Sequence, residues 1–113
     1  MKEDSPYIAQ MIENIDKVQR FVGDVSFEDF ERDEQKQSAV LMQMQQIGEM
    51  AKRVSDATRE EVDVPWKKII GFRNIVAHEY YDIVLSLVWN TIVSDLPTLK
   101  TPLVAYLAKH PIP

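Results

Sequence analysis

The apolar positions of this chain recur every three or four residues, which is the period of an amphipathic α-helix. The first such stretch predicts a helix over residues 5–22, with Ser5 as its N-cap, Pro6 in its first turn and Gly23 as its stop. The stripe predicted to face the core consists of Ile8, Met11, Ile12, Ile15, Val18, Gln19 and Val22.

A short helical turn and a long helix are predicted next. In the segment SFEDFE, Ser26 and Asp29 resemble the start of a capping box. The long helix is predicted over residues 33–54, with a spacing close to a coiled-coil register. Its predicted seam consists of Val40, Met44, Ile47, Ala51 and Val54. Gly48 lies inside this helix and costs about 1 kcal/mol relative to alanine. We therefore expect a close approach at Gly48, by a neighbouring helix or by a ligand, and the sequence favours the helix.

The second half of the chain predicts three more helical segments after one possible helical turn at residues 58–61. The first begins near Pro65 and ends near residues 77–79. The next covers about 83–94 and is apolar on nearly all sides, which predicts a buried helix with a surplus face for a partner subunit. The last runs from Pro97 to about residue 108, with a kink or an interruption at Pro102.

The pattern as a whole predicts an all-α fold, because no segment alternates with a period of two residues. We expect a single domain over residues 1–113, built as an up-down antiparallel bundle of four to five helices. No apolar run reaches the roughly 20 residues that span a bilayer, and the chain has no cysteine. The sequence therefore predicts no membrane partner, no disulfide and a cytoplasmic location.

Side chains suited to chemistry concentrate between residues 71 and 82. On a helix, Arg73, Asn74 and His78 fall with Tyr80 and Tyr81 in a wedge of roughly 160°. Read alone, His78 is a capping or packing histidine at a helix end, but its neighbours favour a functional role. The other histidine of the chain, His110, lies in the tail AKHPIP and is predicted to be part of a frayed end.

The segment Arg73–Tyr80 reads R-N-x-x-x-H-x-Y and resembles the R-x4-H-x-Y signature of HepT-type toxins in the HEPN superfamily. Residues 45–55, 64–74 and 89–100 are also similar to this family, in the same order. The resemblance implies a metal-independent endoribonuclease without a cofactor, in which two chains form a homodimer and both motifs line one cleft. In that reading, Arg73 stabilises the RNA phosphate, His78 transfers the proton and Asn74 supports them.

The resemblance also implies a partner and a modification. In the family, the tyrosine of the motif is modified with AMP by a cognate MNT-type nucleotidyltransferase antitoxin, and that position is Tyr80 here. A structural reading, in which the Tyr80 ring packs on the next helix, stands beside it. The alternative function is a non-catalytic HEPN module that assists a nucleotidyltransferase by binding or dimerising.

The net charge of −5 opposes nucleic-acid binding, but several cations lie near the motif in sequence. Lys67 and Lys68 are the predicted RNA-binding cations among them. Glu49 could contact the motif, but the sequence favours the alternative, an ordinary i,i+4 pair with Arg53. The chain offers no set of residues with the spacing of a metal site.

Overall fold

The computed structural model describes residues 4–78 and 84–112, apart from the side chains of 74–78. Within these ranges the fold is all-α, as predicted, and contains no strand. The helices are α1 (Ser5–Val22), α2 (Phe27–Arg32), α3 (Glu34–Arg53), α4 (Asp56–Glu61), α5 (Trp66–His78), α6 (Leu85–Asn90), a π-helical segment (Thr91–Asp95) and α7 (Leu96–Lys109). None of the helices in these ranges is long and apolar enough to cross a bilayer.

Helices α1 and α3 run antiparallel, as hydrogen bonds at both of their ends show. At one end, the Lys36 ammonium donates to the Phe21 carbonyl oxygen at 2.6 Å, which joins the start of α3 to the end of α1. At the other end, the Ser55 hydroxyl donates to the Asp4 carboxylate at 2.5 Å. The predicted seam of α3 is buried along its whole length.

Contacts at both ends likewise show that helix α7 is antiparallel to α1. The Ser5 hydroxyl donates to the His110 carbonyl oxygen at 2.6 Å, and the Lys100 ammonium lies 2.7 Å from the Asp16 carboxylate. Helix α5 is antiparallel to α3, because the Arg59 guanidinium bonds the Ala51 carbonyl oxygen at the end of α3 just before α5 begins. The up-down bundle predicted from the sequence is confirmed.

Two details predicted for α1 are wrong. Ser5 is not the N-cap; that position belongs to Asp4, whose carboxylate turns away from the helix and bonds Ser55 and Thr58. Gln19 is exposed, because the buried positions follow the three-four alternation of a helix that packs on both α3 and α7. Gly23, by contrast, ends the helix as predicted, with a φ of 58° that favours glycine.

The predicted break before Pro97 is also wrong, because the chain stays helical from Leu85 to Lys109. A π-helical segment replaces the break, and the Leu96 N–H bonds the Thr91 carbonyl oxygen five residues earlier. This wider turn makes room where the ring of Pro97 would otherwise clash with the carbonyl four residues back. Pro102 does not interrupt α7 either.

His110 is not part of a frayed end. Its Nε2 atom lies 2.9 Å from a Glu61 carboxylate oxygen, and its ring stacks on Tyr106 with a centroid distance of 4.4 Å. With the bond from Ser5 to its carbonyl oxygen, His110 ties the end of α7 to both α1 and α4. The histidine therefore has a structural role at the far end of α7.

Candidate active site

Helix α5 carries the motif, and its beginning is fixed by Trp66. The indole N–H donates to the carbonyl oxygens of Arg59 and Val62 at 3.2 and 2.9 Å. The Trp66 ring is buried, and Ile69 in the next turn is buried with it. These contacts set the position of α5 against α4 and the residue that follows it, before the motif begins.

Helices α3 and α5 come closest at Gly48. A Cβ atom added to Gly48 would lie 2.5 Å from the Arg73 Cβ and 3.1 Å from the Ile69 carbonyl oxygen. Real Cβ atoms do not approach other atoms so closely, so glycine is required for the two helices to pack at this distance. The prediction that Gly48 serves helix packing is confirmed, and the helix it contacts presents Arg73 at that point.

Arg73 forms an ion pair with Glu49 of α3. The Nε–H of its guanidinium donates to a Glu49 carboxylate oxygen, with the two side chains 25% and 29% exposed. Glu49 therefore contacts the motif, which was one of its two predicted roles. In the other, Glu49 would pair with Arg53, but the Arg53 guanidinium lies over the Tyr7 ring, 6.0 Å from its centroid.

This ion pair changes the acid strength of Glu49. The hydrogen bond from Arg73 lowers the pKa of the Glu49 carboxyl below its ordinary value, outweighing partial desolvation, and the charges of Arg73, Lys52 and Arg53 act in the same direction. Glu49 is consequently a carboxylate at neutral pH. It holds the Arg73 guanidinium by a charge-assisted bond, which fixes its orientation more strongly than a neutral acceptor would.

The remaining residues of the predicted site are only partly within the described structure. Asn74 and His78 belong to α5, so the helix that holds Arg73 extends at least to His78. Their side chains, and the whole of Tyr80, lie outside the described residues. The functional roles predicted for Asn74, His78 and Tyr80, and the packing roles weighed against them, stay predictions.

The structure separates the two lysines predicted to bind RNA. The Lys68 ammonium lies 2.8 Å from the Asp95 carboxylate, on the side of α5 that faces the π-helical segment. Lys67 instead lines a groove together with Arg59 and Gly71. Sequence reasoning singled out neither Arg59 nor Gly71, although a glycine inside a helical pattern was a signal that could have drawn attention to that position.

Among the described side chains, those of residues 4–73 and 84–112, no group of three or more histidine, aspartate and glutamate residues is arranged to hold a metal ion. The described charged groups of α5 include two ion pairs, Arg73 with Glu49 and Lys68 with Asp95. Each pair connects α5 to a different neighbouring segment.

One protein family matches most of the chain. The sequence model described as "Ribonuclease HepT-like" matches residues 11–105 of the chain. The chain belongs to this family. The match covers all of the bundle from the first third of α1 to most of α7, so it includes Glu49, Arg73 and the rest of α5. It confirms the predicted family and the prediction that the chain is a ribonuclease.

Several similar proteins have ribonuclease names. A protein of Caldanaerobacter subterraneus subsp. tengcongensis with a provisional RNase name is 32% identical over 111 residues, which cover 97% of this chain and 99% of that protein. A probable ribonuclease HepT of Thermococcus cleftensis is 30% identical over 95 residues, covering 83% of this chain and 86% of its own. A protein of Methanocaldococcus jannaschii with a provisional RNase name is 30% identical over 95 residues, covering 83% and 87%. No solved structure matches the chain significantly.

Proposed function

We propose that this HepT-like ribonuclease is a metal-independent endoribonuclease that uses Arg73 and His78. The observation that carries the proposal is the ion pair that anchors Arg73 between α5 and α3, five residues before His78 on the same helix. A fixed guanidinium suits a reaction that builds negative charge on a phosphate, because preorganised charge needs no rearrangement as the reaction proceeds.

In the proposed reaction, the RNA 2′-oxygen attacks the adjacent phosphorus and the bond from phosphorus to the 5′-oxygen breaks. A base takes the proton of the 2′-hydroxyl, and an acid gives a proton to the departing 5′-oxygen. Histidine can serve in either role near neutral pH. Arg73 would stabilise the phosphorane, and Asn74 would orient the phosphate or the imidazole. The products are a 2′,3′-cyclic phosphate and a 5′-hydroxyl.

This reaction needs an acid and a base, whereas each chain offers one histidine in the motif. A twofold dimer would bring two copies of Arg73 and His78 to one cleft. Exposed apolar side chains on α6 and the adjoining π-helical segment support such a dimer: Leu87 is 67% exposed and Val93 is 49% exposed. Together with Val84 and Phe72, Leu87 also lines a groove of about 250 Å³ between α5 and α6, next to the helix that carries the motif.

The biological role that we propose is that of a toxin, silenced by an MNT-type nucleotidyltransferase antitoxin that attaches AMP to Tyr80. A bulky anionic group at the motif would repel RNA and block the cleft. The proposal is supported by the R-x4-H-x-Y spacing that ends at Tyr80 and by membership of the family. Co-expression with such a nucleotidyltransferase should add the mass of AMP to the peptide that contains Tyr80, and the adduct should be absent from Tyr80→Phe.

Cleavage of an end-labelled single-stranded RNA in EDTA tests the reaction. The purified chain should leave a 2′,3′-cyclic phosphate, and His78→Ala and Arg73→Ala should each lower the rate by about a hundredfold or more, because each removes a group that acts only in the transition state. His110→Gln is the matched control, since it removes the other histidine, far from the motif. Unchanged cleavage by His78→Ala would contradict the proposal.

A further inference from the structure

A second groove lies on α5, one turn before Arg73. It has a volume of about 480 Å³ and is lined by Arg59, Trp66, Lys67, Ile70 and Gly71. Its walls are mainly apolar, and two of its five lining residues are cations while none is acidic. This combination differs from the chain as a whole, which has a net charge of −5.

Gly71 leaves the wall of this groove bare. A Cβ atom added to Gly71 would meet no atom within 4 Å, whereas one added to Gly48 would collide with Arg73. A glycine inside a helix is less favourable than alanine by about 1 kcal/mol, and here the chain's own packing does not require it. Glycine at this position suits the close approach of something outside the chain.

The groove is in register with the motif. Lys67, Gly71, Asn74 and His78 follow one another at intervals of four, three and four residues along α5, so these positions lie on one side of the helix. At 1.5 Å per residue, Gly71 lies about 10 Å and Lys67 about 16 Å before His78 along the helix axis. A strand bound at His78 and following this side of α5 would enter the groove.

The two cations of the groove are held differently. The Arg59 guanidinium donates to the carbonyl oxygens of Ala51 and Lys52 at 3.1 and 3.0 Å, so its charge is fixed in the groove wall. Lys67 is exposed. Arg59 therefore supplies a permanent positive field, and Lys67 is the residue able to reach out to a phosphate.

We propose that this groove binds a nucleotide of single-stranded RNA that flanks the cleaved phosphodiester. The inference rests on the proposed function and names the part of the substrate that the chain holds beside its active site. The base or sugar packs against Ile70 and the bare backbone of Gly71, and a phosphate pairs with Lys67. In single-strand sites a cationic groove follows the backbone, and the bases usually stack on aromatic side chains. Here Trp66 and Ile70 are the apolar residues of the lining.

A protein helix could also approach a helical glycine, and the place of the groove separates the two occupants. Charge alone does not separate them, because a second copy of this chain, with a net charge of −5, is also anionic. The groove lies on the same side of α5 as the His78 position, so the strand that the proposed function places at His78 continues into it. Two cations without a lining carboxylate then meet its phosphates. Position and charge together favour RNA.

Binding of a 2′-O-methyl oligonucleotide of about twelve nucleotides, which cannot be cleaved, tests the groove independently of catalysis. Lys67→Gln should weaken binding two- to fivefold and make the slope of log K against log salt less steep by about 0.7, the value of one phosphate contact in a single strand. Lys17→Gln on α1 removes the same charge outside the groove and should leave both quantities unchanged.

Substitution of Gly71 gives the second test. Gly71→Leu should fill the groove and weaken binding of the oligonucleotide about tenfold or more. Gly71→Ala should raise the melting temperature by about 2 to 5 °C, because alanine favours the helix and its methyl group meets no atom of the chain, while still weakening binding. A gain in stability together with a loss of binding shows that the loss does not come from misfolding.

Cleavage kinetics separate failure of the groove from failure of the function. If the wild type cleaves RNA, the groove variants should lower kcat/KM on the twelve-nucleotide RNA and leave it unchanged on a dinucleotide, which is too short to reach Lys67. If the groove variants lower kcat/KM equally on both substrates, or lower it on neither, the proposed groove is overturned and the proposed ribonuclease activity stands. If the wild type cleaves nothing but binds the oligonucleotide through Lys67 and Gly71, the proposed reaction fails and the groove stands. Loss of self-association without loss of RNA binding in Gly71→Leu assigns the groove to a protein contact and overturns the proposal.

Discussion

At the scale of single residues, the feature that matters most is the carboxylate bonded to Arg73. This carboxylate belongs to Glu49 of α3, so a different helix from the one that carries Arg73 orients the guanidinium. Such a bond reduces the net positive charge offered to a phosphate and at the same time restricts the rotation of the guanidinium. In the proposed reaction, where Arg73 meets a developing phosphorane, orientation is the larger benefit, because misplacement by about 1 Å can lower a rate a hundredfold.

Glu49→Gln should therefore slow RNA cleavage by about tenfold, mainly in kcat, because the amide keeps the shape but holds Arg73 less firmly. Since the pKa of Glu49 is lowered, its carboxylate persists to mildly acidic pH, and the difference between wild type and variant should hold from neutral pH down until that group protonates. Rates measured against pH check this, with Glu49→Asp as a partial rescue.

Glu13→Gln is the control for this experiment, because it removes a carboxylate from the Glu13–Lys17 pair on α1, remote from the motif. It should leave the rate unchanged. If Glu49→Gln cleaves as fast as the wild type at every pH, Glu49 does not position Arg73 for the reaction.

The sequence reaches this site only in part. Helical spacing and the motif pointed to Arg73, but for Glu49 the sequence favoured a pair with Arg53 on its own helix over a contact with the motif. The choice depends on how α3 and α5 cross, and the crossing depends on the absence of a side chain at Gly48. The spacing of apolar residues predicts which face of a helix is buried, but not how closely two helices approach each other.

At the scale of elements, the chain from Leu85 to Lys109 shows what pattern and capping rules can and cannot give. The rules located α1, α2, α3 and the start of α5 closely, because their ends have caps or glycine at fixed positions. They failed at Pro97. Proline lacks an N–H group in both cases, so the sequence does not distinguish a helix that stops before Pro97 from one that widens into a π-helical turn. Packing of Val88, Ile92 and Leu96 into one core keeps that helix whole.

A second feature at the scale of elements is Asp4, which joins the start of α1 to α4. Its side chain is almost completely buried, and it accepts bonds from the Ser55 and Thr58 hydroxyls at 2.5 and 2.6 Å and from the Ser55 N–H at 3.3 Å. Burial alone would raise the pKa of the Asp4 carboxyl, but these hydrogen bonds outweigh burial and lower it. The charged form therefore stabilises the fold.

Asp4→Asn should lower the free energy of unfolding at neutral pH by about 1 to 3 kcal/mol, because the amide cannot satisfy the same donors. A lowered pKa means that the contribution of Asp4 is complete above the unfolded value of about 3.9 and is lost as the pH falls through the folded value. The gap between wild type and variant should hence narrow in acid. Urea unfolding at pH 7 and near pH 3 measures it.

Asp16→Asn serves as the comparison, since Asp16 pairs with Lys100 at a partly exposed site and should contribute at most about 1 kcal/mol. A gap between wild type and Asp4→Asn that is constant with pH would mean that Asp4 acts through shape and not through its charge.

At the scale of the whole molecule, the bundle measures 42 × 28 × 20 Å, so its shortest dimension is about two helix diameters. A body this thin has little interior in which to place apolar side chains. The surplus remains on the surface, and at Val84 and Leu87 it adjoins α5. This is the face to which we assign the homodimer.

Leu87→Glu should convert the dimer to a monomer while leaving the helical content unchanged, because it places a charge in the proposed apolar contact. Sedimentation equilibrium measures the mass, and cleavage should fall in parallel if both motifs are required. Met42→Glu is a matched control, since Met42 on α3 is 63% exposed, close to the 67% of Leu87, and should remain dimeric. A wild type that is monomeric at high concentration would refute the assignment.

The missing side chain at position 48 has an evolutionary consequence. Any larger residue there would force the helix bearing Arg73 outward, together with everything that follows it, so the alleles tolerated at this position should be as restricted as those at the motif itself. We therefore expect few natural substitutions where α3 and α5 contact each other, including substitutions that would change substrate specificity. At Gly71, two residues before Arg73, the packing of the chain sets no such limit, so the proposed RNA contact is what would restrict that position.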